Sequence, residues 1–151
     1  MCKIYWFTGQ PGAGKTTLGR MLVDLLDSEN QKVFHIDGDD LRELTDNKDY
    51  SKNGRITNIR NAQMMAEYLY KKNYNVVASL VSPYLEIREE LKKKIGKDLI
   101  EFYIHTSEKR EKDEYKTNEY EQPIENYIDI DTTNETASKS FQKIIICKQS
   151  I

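Results

Sequence analysis

The stretch Gly9-Gln-Pro-Gly-Ala-Gly14-Lys15-Thr16 fits the pattern G-x-x-x-x-G-K-[ST] in full and decides the fold. The apolar run Ile4-Tyr-Trp-Phe7 before it predicts a buried strand, and the amphipathic run from Thr17 to Leu26 after it predicts a helix. Glycines let a backbone wrap around phosphate oxygens, and the amides at the start of a helix point at the anion. Strand, loop and helix in this order indicate a phosphate-binding loop rather than a glycine-rich turn that fits by chance.

This phosphate loop supplies the first group of candidate site residues. The Lys15 ammonium can reach β- and γ-phosphates, and the Thr16 hydroxyl can ligate Mg²⁺. We therefore expect the chain to bind ATP with Mg²⁺. The residues expected to hold the phosphates are Gly12, Ala13, Gly14, Lys15, Thr16 and Thr17.

Length and composition limit the class of protein. The chain has 151 residues, enough for one domain with a real core, so residues 1–151 are treated as a single domain. The net charge of −2 does not indicate the basic surface that nucleic-acid binding requires. No stretch approaches the ~20 apolar residues of a membrane span. Because the first strand is expected within a few residues of Met1, we expect no signal peptide. We expect a cytoplasmic enzyme with a small-molecule partner and leave a homodimer open.

The rest of the chain alternates strands and helices, which predicts an α/β fold of the P-loop NTPase type: three layers, α/β/α, around a five-stranded parallel sheet. The expected strands are 3–8, 32–36, 75–80, 99–105 and 126–130. The expected helices are about 14–28, a short one from 39 or 40, 55–72, 84–95 and 135–146. Leu41 and Leu44 are expected to face the core from the short helix, and Ile56, Ile59, Met64, Ala66, Leu69 and Tyr70 from the long one. Cys2 and Cys147 are interpreted as reduced thiols, and His35 and His105 as ordinary strand-end residues.

A second constellation follows strands two and three, where an open parallel sheet binds ligands. A carboxylate beside a γ-phosphate and Mg²⁺ can orient or deprotonate an attacking hydroxyl, or hold the metal. In Asp37-Gly-Asp-Asp40 we therefore predict catalytic roles for Asp37 and Asp39, and interpret only Asp40 as a helix N-cap. Arg42 lies one helical turn beyond Asp39 and can face the same cleft.

Several ordered motifs together resemble the adenylylsulfate (APS) kinase family. The motifs are Gly9–Thr17, Asp37-Gly-Asp-Asp-Leu-Arg42, Tyr50-Ser-x-x-x-Arg55-x-x-Asn58-Ile-Arg60 and Ser79-x-x-Ser82-Pro-Tyr84-x-x-x-Arg88. The resemblance runs from residue 3 to about residue 110 and resumes at Tyr120-Glu-Gln-Pro123. It implies transfer of the γ-phosphoryl group of ATP to the ribose 3′-hydroxyl of a nucleotide that carries sulfate on its 5′-phosphate.

Lys15 of the phosphate loop is one candidate catalytic residue, because its charge can stabilise the phosphates during transfer. The resemblance implies catalytic roles for three more. Asp37 is the candidate base and, with Thr16, a candidate metal ligand, while Asp39 is a contact of the metal or the substrate. Ser82 matches a serine that is often drawn as a phosphorylated intermediate. Because direct in-line transfer needs no covalent step, we expect Ser82 to be a substrate-positioning hydroxyl.

Other residues are implied in substrate binding. Arg42, Arg55 and Asn58 would hold the acceptor's 5′ anionic group and sugar, and Tyr50 stands where the family usually has a Phe that packs on the base. Independently of the family, an arginine is a planar fork for phosphate or sulfate oxygens, and Arg55 and Asn58 share one helix face. Arg110 is placed among the residues that bind ATP.

Residues 107–122 depart from the family. The family's lid is a long basic segment of the type Lys-Gly-Leu-Tyr-Lys-Lys-Ala-Arg followed by Phe-Thr-Gly, whose Phe stacks on the acceptor adenine. Here the stretch is shorter, has no Phe and no Gly, and is dense in charges of both signs. It reads either as a solvated segment or as a short mobile lid. Tyr115 or Tyr120 would have to replace the missing ring.

This departure leaves the acceptor open. Adenylylsulfate and a cytidine diphosphate derivative such as cytidine diphosphoramidate are both retained as acceptors. A kinase of a small metabolite is a further alternative. A guanine-nucleotide switch is disfavoured, because Asn47-Lys48-Asp49 has the wrong spacing and position for a base-reading Asn-Lys-x-Asp motif.

Overall fold

Strand β1 (Ile4–Thr8) is the central strand of the sheet, and every one of its side chains is buried. Successive side chains of a strand point to opposite faces, so Ile4 and Trp6 enter one core while Tyr5 and Phe7 enter the other. The computed structural model describes all 151 residues. A strand buried on both faces requires a layer of helices on each side, and this is what the chain forms.

The sheet has five parallel strands in the order β2-β3-β1-β4-β5. The other strands are β2 (Val33–Asp37), β3 (Asn75–Ser79), β4 (Leu99–His105) and β5 (Tyr127–Asp131). The helices are α1 (Lys15–Ser28), α2 (Gly38–Thr45), α3 (Lys52–Lys71), α4 (Leu85–Ile95) and α5 (Ala137–Gln149). Short 3₁₀ turns occupy residues 96–98 and 113–115. The predicted three-layer α/β/α fold is confirmed.

The two faces of the sheet are covered by different helices. Helix α1 contributes Leu18, Leu22 and Leu26, spaced four residues apart, to a core shared with α5. Helices α3 and α4 bury their apolar stripes against the opposite face, together with Leu41 of α2. None of the helices combines the length and the apolar character that a membrane crossing requires. Both cysteines are free.

Several local predictions were wrong. Leu44 is 78% exposed and Met64 is 63% exposed, so neither faces the core. Leu41 is the apolar residue that α2 buries, and on α3 it is Met65 rather than Met64 that packs against the core. Helix α3 begins at Lys52, three residues earlier than expected, because the Ser51 side chain caps it by accepting a hydrogen bond from the Gly54 amide.

The topology brings four connections to one edge of the sheet. The phosphate loop follows β1, α2 follows β2, residues 80–84 follow β3, and residues 106–126 follow β4. Since all strands are parallel, these connections leave the same, carboxyl edge. The sheet thereby places every sequence-predicted site segment on one side of the molecule.

Candidate active site

A cavity of about 980 Å³ opens at the carboxyl edge of the sheet. Its walls are the phosphate loop, the start of α2, the loop between α2 and α3, the start of α3, residues 79–83 and residues 110–115. All sequence-predicted site residues line it except Ala13, which is buried in the core beside α1. The two constellations read from the sequence therefore form one site.

The phosphate loop is shaped by close approach to its neighbours. A Cβ on Gly9 would lie 2.1 Å from the Ile104 carbonyl oxygen, so the loop can cross β4 only with glycine there. Gly14 precedes α1 with φ of 113°, in the left-handed region, and no side chain caps the helix. The first amides of α1 are thus left for an anion, as the motif predicts.

Lys15 is almost fully buried at the base of this loop, and its Nζ donates to the Gln10 carbonyl oxygen at 2.8 Å. Burial lowers the Lys15 pKa to about 7, although the nearby carboxylates of Asp39 and Asp37 act in the opposite direction. Bound phosphates would place negative charge beside Lys15 and so favour its protonated, charged form.

Asp37 joins the phosphate loop to α2. Its Oδ2 accepts a 2.6 Å hydrogen bond from the Thr16 hydroxyl, and its Oδ1 accepts from the amides of Asp39 and Asp40 at 3.0 and 3.3 Å. Asp37 is therefore the N-cap of α2, and the assignment of that cap to Asp40 was wrong. The helix starts one residue earlier than expected, which moves the cap back to the last residue of β2. The cap does not exclude chemistry, because the same carboxylate also faces Thr16 in the cavity.

The Thr16–Asp37 pair has the chemistry of a magnesium site. Both donors are hard oxygens, and Mg²⁺ is usually held by one or two protein ligands together with phosphates and waters. Their 2.6 Å separation places both on one small region of the cavity wall. The residues present therefore fit a Mg²⁺ ion that arrives with the nucleotide.

Arg42 organises the loop between α2 and α3. Its Nη1 donates to the Asn47 carbonyl oxygen at 3.1 Å and to the Asp49 carbonyl oxygen at 2.9 Å, and its guanidinium lies 4.1 Å from the centre of the Tyr50 ring. Tyr50 itself is 61% exposed and lines the cavity. Arg42 thus holds Tyr50 in place, a role that the sequence did not reveal because its partners are backbone carbonyls.

The start of α3 supplies Arg55 and Asn58 to the cavity wall. The chain can turn sharply into this helix because residue 54 is glycine: a Cβ there would lie 2.0 Å from the Asp49 carbonyl oxygen. Asn58 is buried, and its Nδ2 donates to the Gly38 carbonyl oxygen at 3.3 Å. Its Oδ1 has no hydrogen-bond partner in the protein. A buried acceptor without a partner is costly, so the Asn58 Oδ1 is available to a hydrogen-bond donor on a ligand.

Ser82 lies in a strained loop after β3. Its φ is 38°, in the left-handed region that non-glycine residues rarely adopt. Its Oγ accepts from Trp6 Nε1 at 3.1 Å and lies 3.1 Å from Thr8 Oγ1. The serine lines the cavity, but its hydroxyl is already used by two neighbours.

Residues 107–122 lie across the phosphate loop and contain only one 3₁₀ turn. Arg110 Nη1 donates to the carbonyl oxygens of Gly12 and Ala13 at 3.1 and 3.2 Å, and the Gln10 side-chain amide pairs with the Thr117 backbone at 2.8 and 3.1 Å. Tyr120 is turned away from the cavity, which rules it out as the second stacking ring. Tyr115 is 61% exposed and lines the cavity.

Sequence reasoning missed three residues around this site. Gln10 occupies an unconstrained position of the loop motif, and Lys112 lies in a charge run without periodicity. Arg88, quoted only as part of a motif, is 2% exposed and donates to Glu101 Oε1 at 2.9 Å and to the Ser82 carbonyl oxygen at 2.6 Å. The one available signal was an arginine on the core-facing stripe of a predicted helix, beside a strand that carries a glutamate.

Comparison with known proteins identifies the family of the chain. The family model of adenylylsulphate kinase matches residues 1–138. The adenylyl-sulfate kinase of Oceanobacillus iheyensis is 32% identical over 162 aligned positions, covering 94% of this chain and 81% of the relative. That of Picosynechococcus sp. is 40% identical over 101 residues, covering 66% of this chain and 56% of the relative. In such alignments the chain spans about half the length of the first curated relatives it matches.

Solved structures agree on the fold. The Mycobacterium tuberculosis APS kinase CysC, in complex with AMPPNP and APS, superposes with a TM-score of 0.82 at 21% identity, covering 98% of each chain. The family match and the O. iheyensis alignment together place the protein: the chain belongs to the adenylylsulphate kinase family.

Proposed function

We propose that the protein transfers the γ-phosphoryl group of ATP to the ribose 3′-hydroxyl of adenylyl sulfate. The observation that carries this proposal is the single cavity with a complete phosphate loop on one wall and Tyr50, Arg55 and Asn58 on another. The first wall suits a nucleoside triphosphate and the second suits an anionic nucleotide. Family membership supports the same pair of substrates.

The donor binds along the phosphate loop. The amides of residues 12–17 and the Lys15 ammonium hold the phosphates, while Arg110 lies beside Gly12 and Ala13. Thr16 and Asp37 would hold a Mg²⁺ ion that arrives with the nucleotide, and its charge would offset the negative charge of the phosphates.

The transfer itself needs positioning and one proton acceptor. The 3′-hydroxyl oxygen attacks the γ-phosphorus, the bond to the β–γ bridging oxygen breaks, and ADP leaves with that electron pair. Asp37 takes the hydroxyl proton as general base, and Asp39 contacts the acceptor sugar. Ser82 acts by shaping the loop that follows β3, since its hydroxyl is held by Trp6 and Thr8.

The acceptor lies against α3. Arg55 offers two parallel donors to the sulfate or phosphate oxygens, and the partnerless Asn58 Oδ1 accepts from the sugar. Tyr50, backed by Arg42, stacks on one face of the base. Tyr115 of the lid, residues 107–122, approaches the other face in place of the family's Phe.

The curated relatives favour adenylyl sulfate over the alternative acceptors, because the proteins matched are named adenylyl-sulfate kinases. The deciding experiment incubates the purified protein with Mg·ATP and adenylyl sulfate, cytidine 5′-diphosphate derivatives or small hydroxylated metabolites, and identifies 3′-phosphorylated product by mass spectrometry. We expect product from adenylyl sulfate that is lost in Lys15→Ala. Product from a cytidine nucleotide alone, or from a metabolite alone, would overturn the proposed acceptor. A homodimer and a cytoplasmic location stay predictions.

A further inference from the structure

Lys112 is a lid cation that reaches the site of transfer. Its Nζ lies 3.6 Å from Asp39 Oδ2, and both residues line the cavity. Lys112 also lies close enough to Lys15 to lower the Lys15 pKa. Two effects on that pKa are larger: burial, which lowers it, and the Asp39 carboxylate, which raises it. Two ammonium groups on opposite sides of the phosphate loop therefore converge on one region of the cavity.

The backbone fixes this position. A Cβ on Gly12, whose φ is 79°, would lie 3.3 Å from the Lys112 Cβ, so the lid rests directly on the phosphate loop. Arg110, two residues earlier, is bonded to the loop carbonyls, and the Asp113 amide donates to the Arg110 carbonyl oxygen at 3.0 Å. Lys112 is thus held between a fixed arginine and a short 3₁₀ turn.

Stability does not explain the Lys112–Asp39 pair. The two side chains are 57% and 76% exposed, and such surface pairs contribute little to folding. The pair joins two segments that line the cavity from opposite sides, the lid and the start of α2. A matched lid pair, Lys116–Asp113 at 3.1 Å, is local to the lid, and Lys116 does not line the cavity.

We infer that Lys112 is a catalytic residue that the lid contributes: its ammonium exchanges Asp39 for the γ-phosphoryl oxygens of ATP and stabilises the charge on that group during transfer. Negative charge on the transferred group is the feature that kinases stabilise with cations placed opposite the phosphate loop. Lys112 exchanges no proton in this step, and the hydroxyl proton still passes to Asp37. The inference rests on the proposed phosphoryl transfer but not on the identity of the acceptor.

The test separates the γ-phosphate from the rest of the nucleotide. Binding of Mg·ADP and of Mg·AMPPNP is measured by calorimetry for the wild type, Lys112→Ala, Lys112→Arg and the control Lys116→Ala. We expect Lys112→Ala to weaken AMPPNP binding by about tenfold or more while ADP binding changes less than about twofold, since only AMPPNP carries the γ-group. Lys112→Arg should retain most of the affinity, and Lys116→Ala should match the wild type.

Turnover gives a second readout. With adenylyl sulfate as acceptor, Lys112→Ala should lower kcat by about 100-fold with an unchanged acceptor KM. Equal losses for ADP and AMPPNP, or no loss for either, would overturn the role of Lys112 at the γ-phosphate. If the wild type fails to phosphorylate adenylyl sulfate but Lys112→Ala still weakens AMPPNP selectively, the proposed acceptor fails and the role of Lys112 stands.

Discussion

The Tyr120 hydroxyl lies 2.8 Å from Thr8 Oγ1 and ties the end of the lid to the last residue of the central strand. Burial raises the pKa of Tyr120 far above its usual value, so the phenol stays protonated. Thr8 also lies 2.8 Å from the Val81 carbonyl oxygen and 3.1 Å from Ser82 Oγ. Three segments, the central strand β1, the loop after β3 and the lid, therefore meet at one hydroxyl.

Removing this contact should cost stability without affecting nucleotide binding. Tyr120→Phe keeps the ring stacked on Tyr103 and deletes only the hydroxyl, so we expect a loss of about 1 kcal/mol in the free energy of unfolding. Urea denaturation measures it, and Tyr115→Phe, on an exposed lid residue, is the control. Equal stabilities for the two variants would contradict a buried Tyr120–Thr8 hydrogen bond.

Asp37→Asn should separate the chemical role of this residue from its structural one. An asparagine still accepts from the amides of Asp39 and Asp40, so α2 stays capped and the melting temperature should change little. Loss of the charge and of the base should lower kcat by about 100-fold or more. The control is Asp40→Asn, on an exposed neighbour, which should keep its activity. Retained activity in Asp37→Asn would place the base elsewhere.

Arg55 should act on the acceptor and not on ATP. Arg55→Ala should raise the acceptor KM by about tenfold or more and leave ATP affinity unchanged, because one substrate alone loses its paired donors. Arg55→Lys should recover little, since an ammonium cannot reproduce the fork. Arg60→Ala, which removes a surface ion pair with Glu90, is the matched control. A weakened ATP complex in Arg55→Ala would put this arginine on the donor side.

Nucleotide binding should take up a proton above neutral pH. The Lys15 pKa is about 7 in the free protein, and phosphates should raise it, so Mg·ADP binding at pH 8 should consume about one proton. Calorimetry in buffers of different ionisation enthalpy measures this uptake, and Lys15→Ala should abolish it. Affinity should fall about tenfold per pH unit above pH 7. Buffer-independent heats would mean that Lys15 is already charged.

The same group makes stability depend on pH. Its folded-state pKa is lowered from 10.5 to about 7, so between these values the unfolded chain binds a proton that the folded chain does not. The free energy of unfolding should therefore rise with pH from about pH 7 to pH 10.5 through this group. Lys15→Ala should remove that rise.

Local patterns predicted the parts of the site that depend on local backbone. The phosphate loop and the placement of Asp37 at the end of β2 follow from strand, turn and helix signals within a few residues. The roles of Arg42 and Arg88 could not be predicted, because their partners are carbonyl oxygens or a glutamate brought near only by folding. The structure of the lid could not be predicted, because a run of mixed charge has no apolar periodicity that would indicate a helix or a strand.

Errors at single positions have equally physical causes. Leu44 was assigned to the core by helical spacing, but α2 has only eight residues and its last three, 43–45, are exposed. The predicted position of the α2 cap was wrong because the three aspartates in residues 37–40 are chemically equal as caps. Backbone geometry determines which of them is the cap.

The position of β1 in the sheet order separates two tasks along the chain. On one side of it lie β2 and β3, and residues 37–83 on that side include every residue assigned to the acceptor except Tyr115. On the other side lie β4 and β5, beside the lid and Arg110. Most of the residues proposed to contact the acceptor therefore belong to one continuous stretch of the chain. Exchanging residues 37–83 with the same stretch of a relative should therefore replace most of the acceptor contacts at once, while the phosphate loop, Arg110 and Tyr115 stay those of this chain.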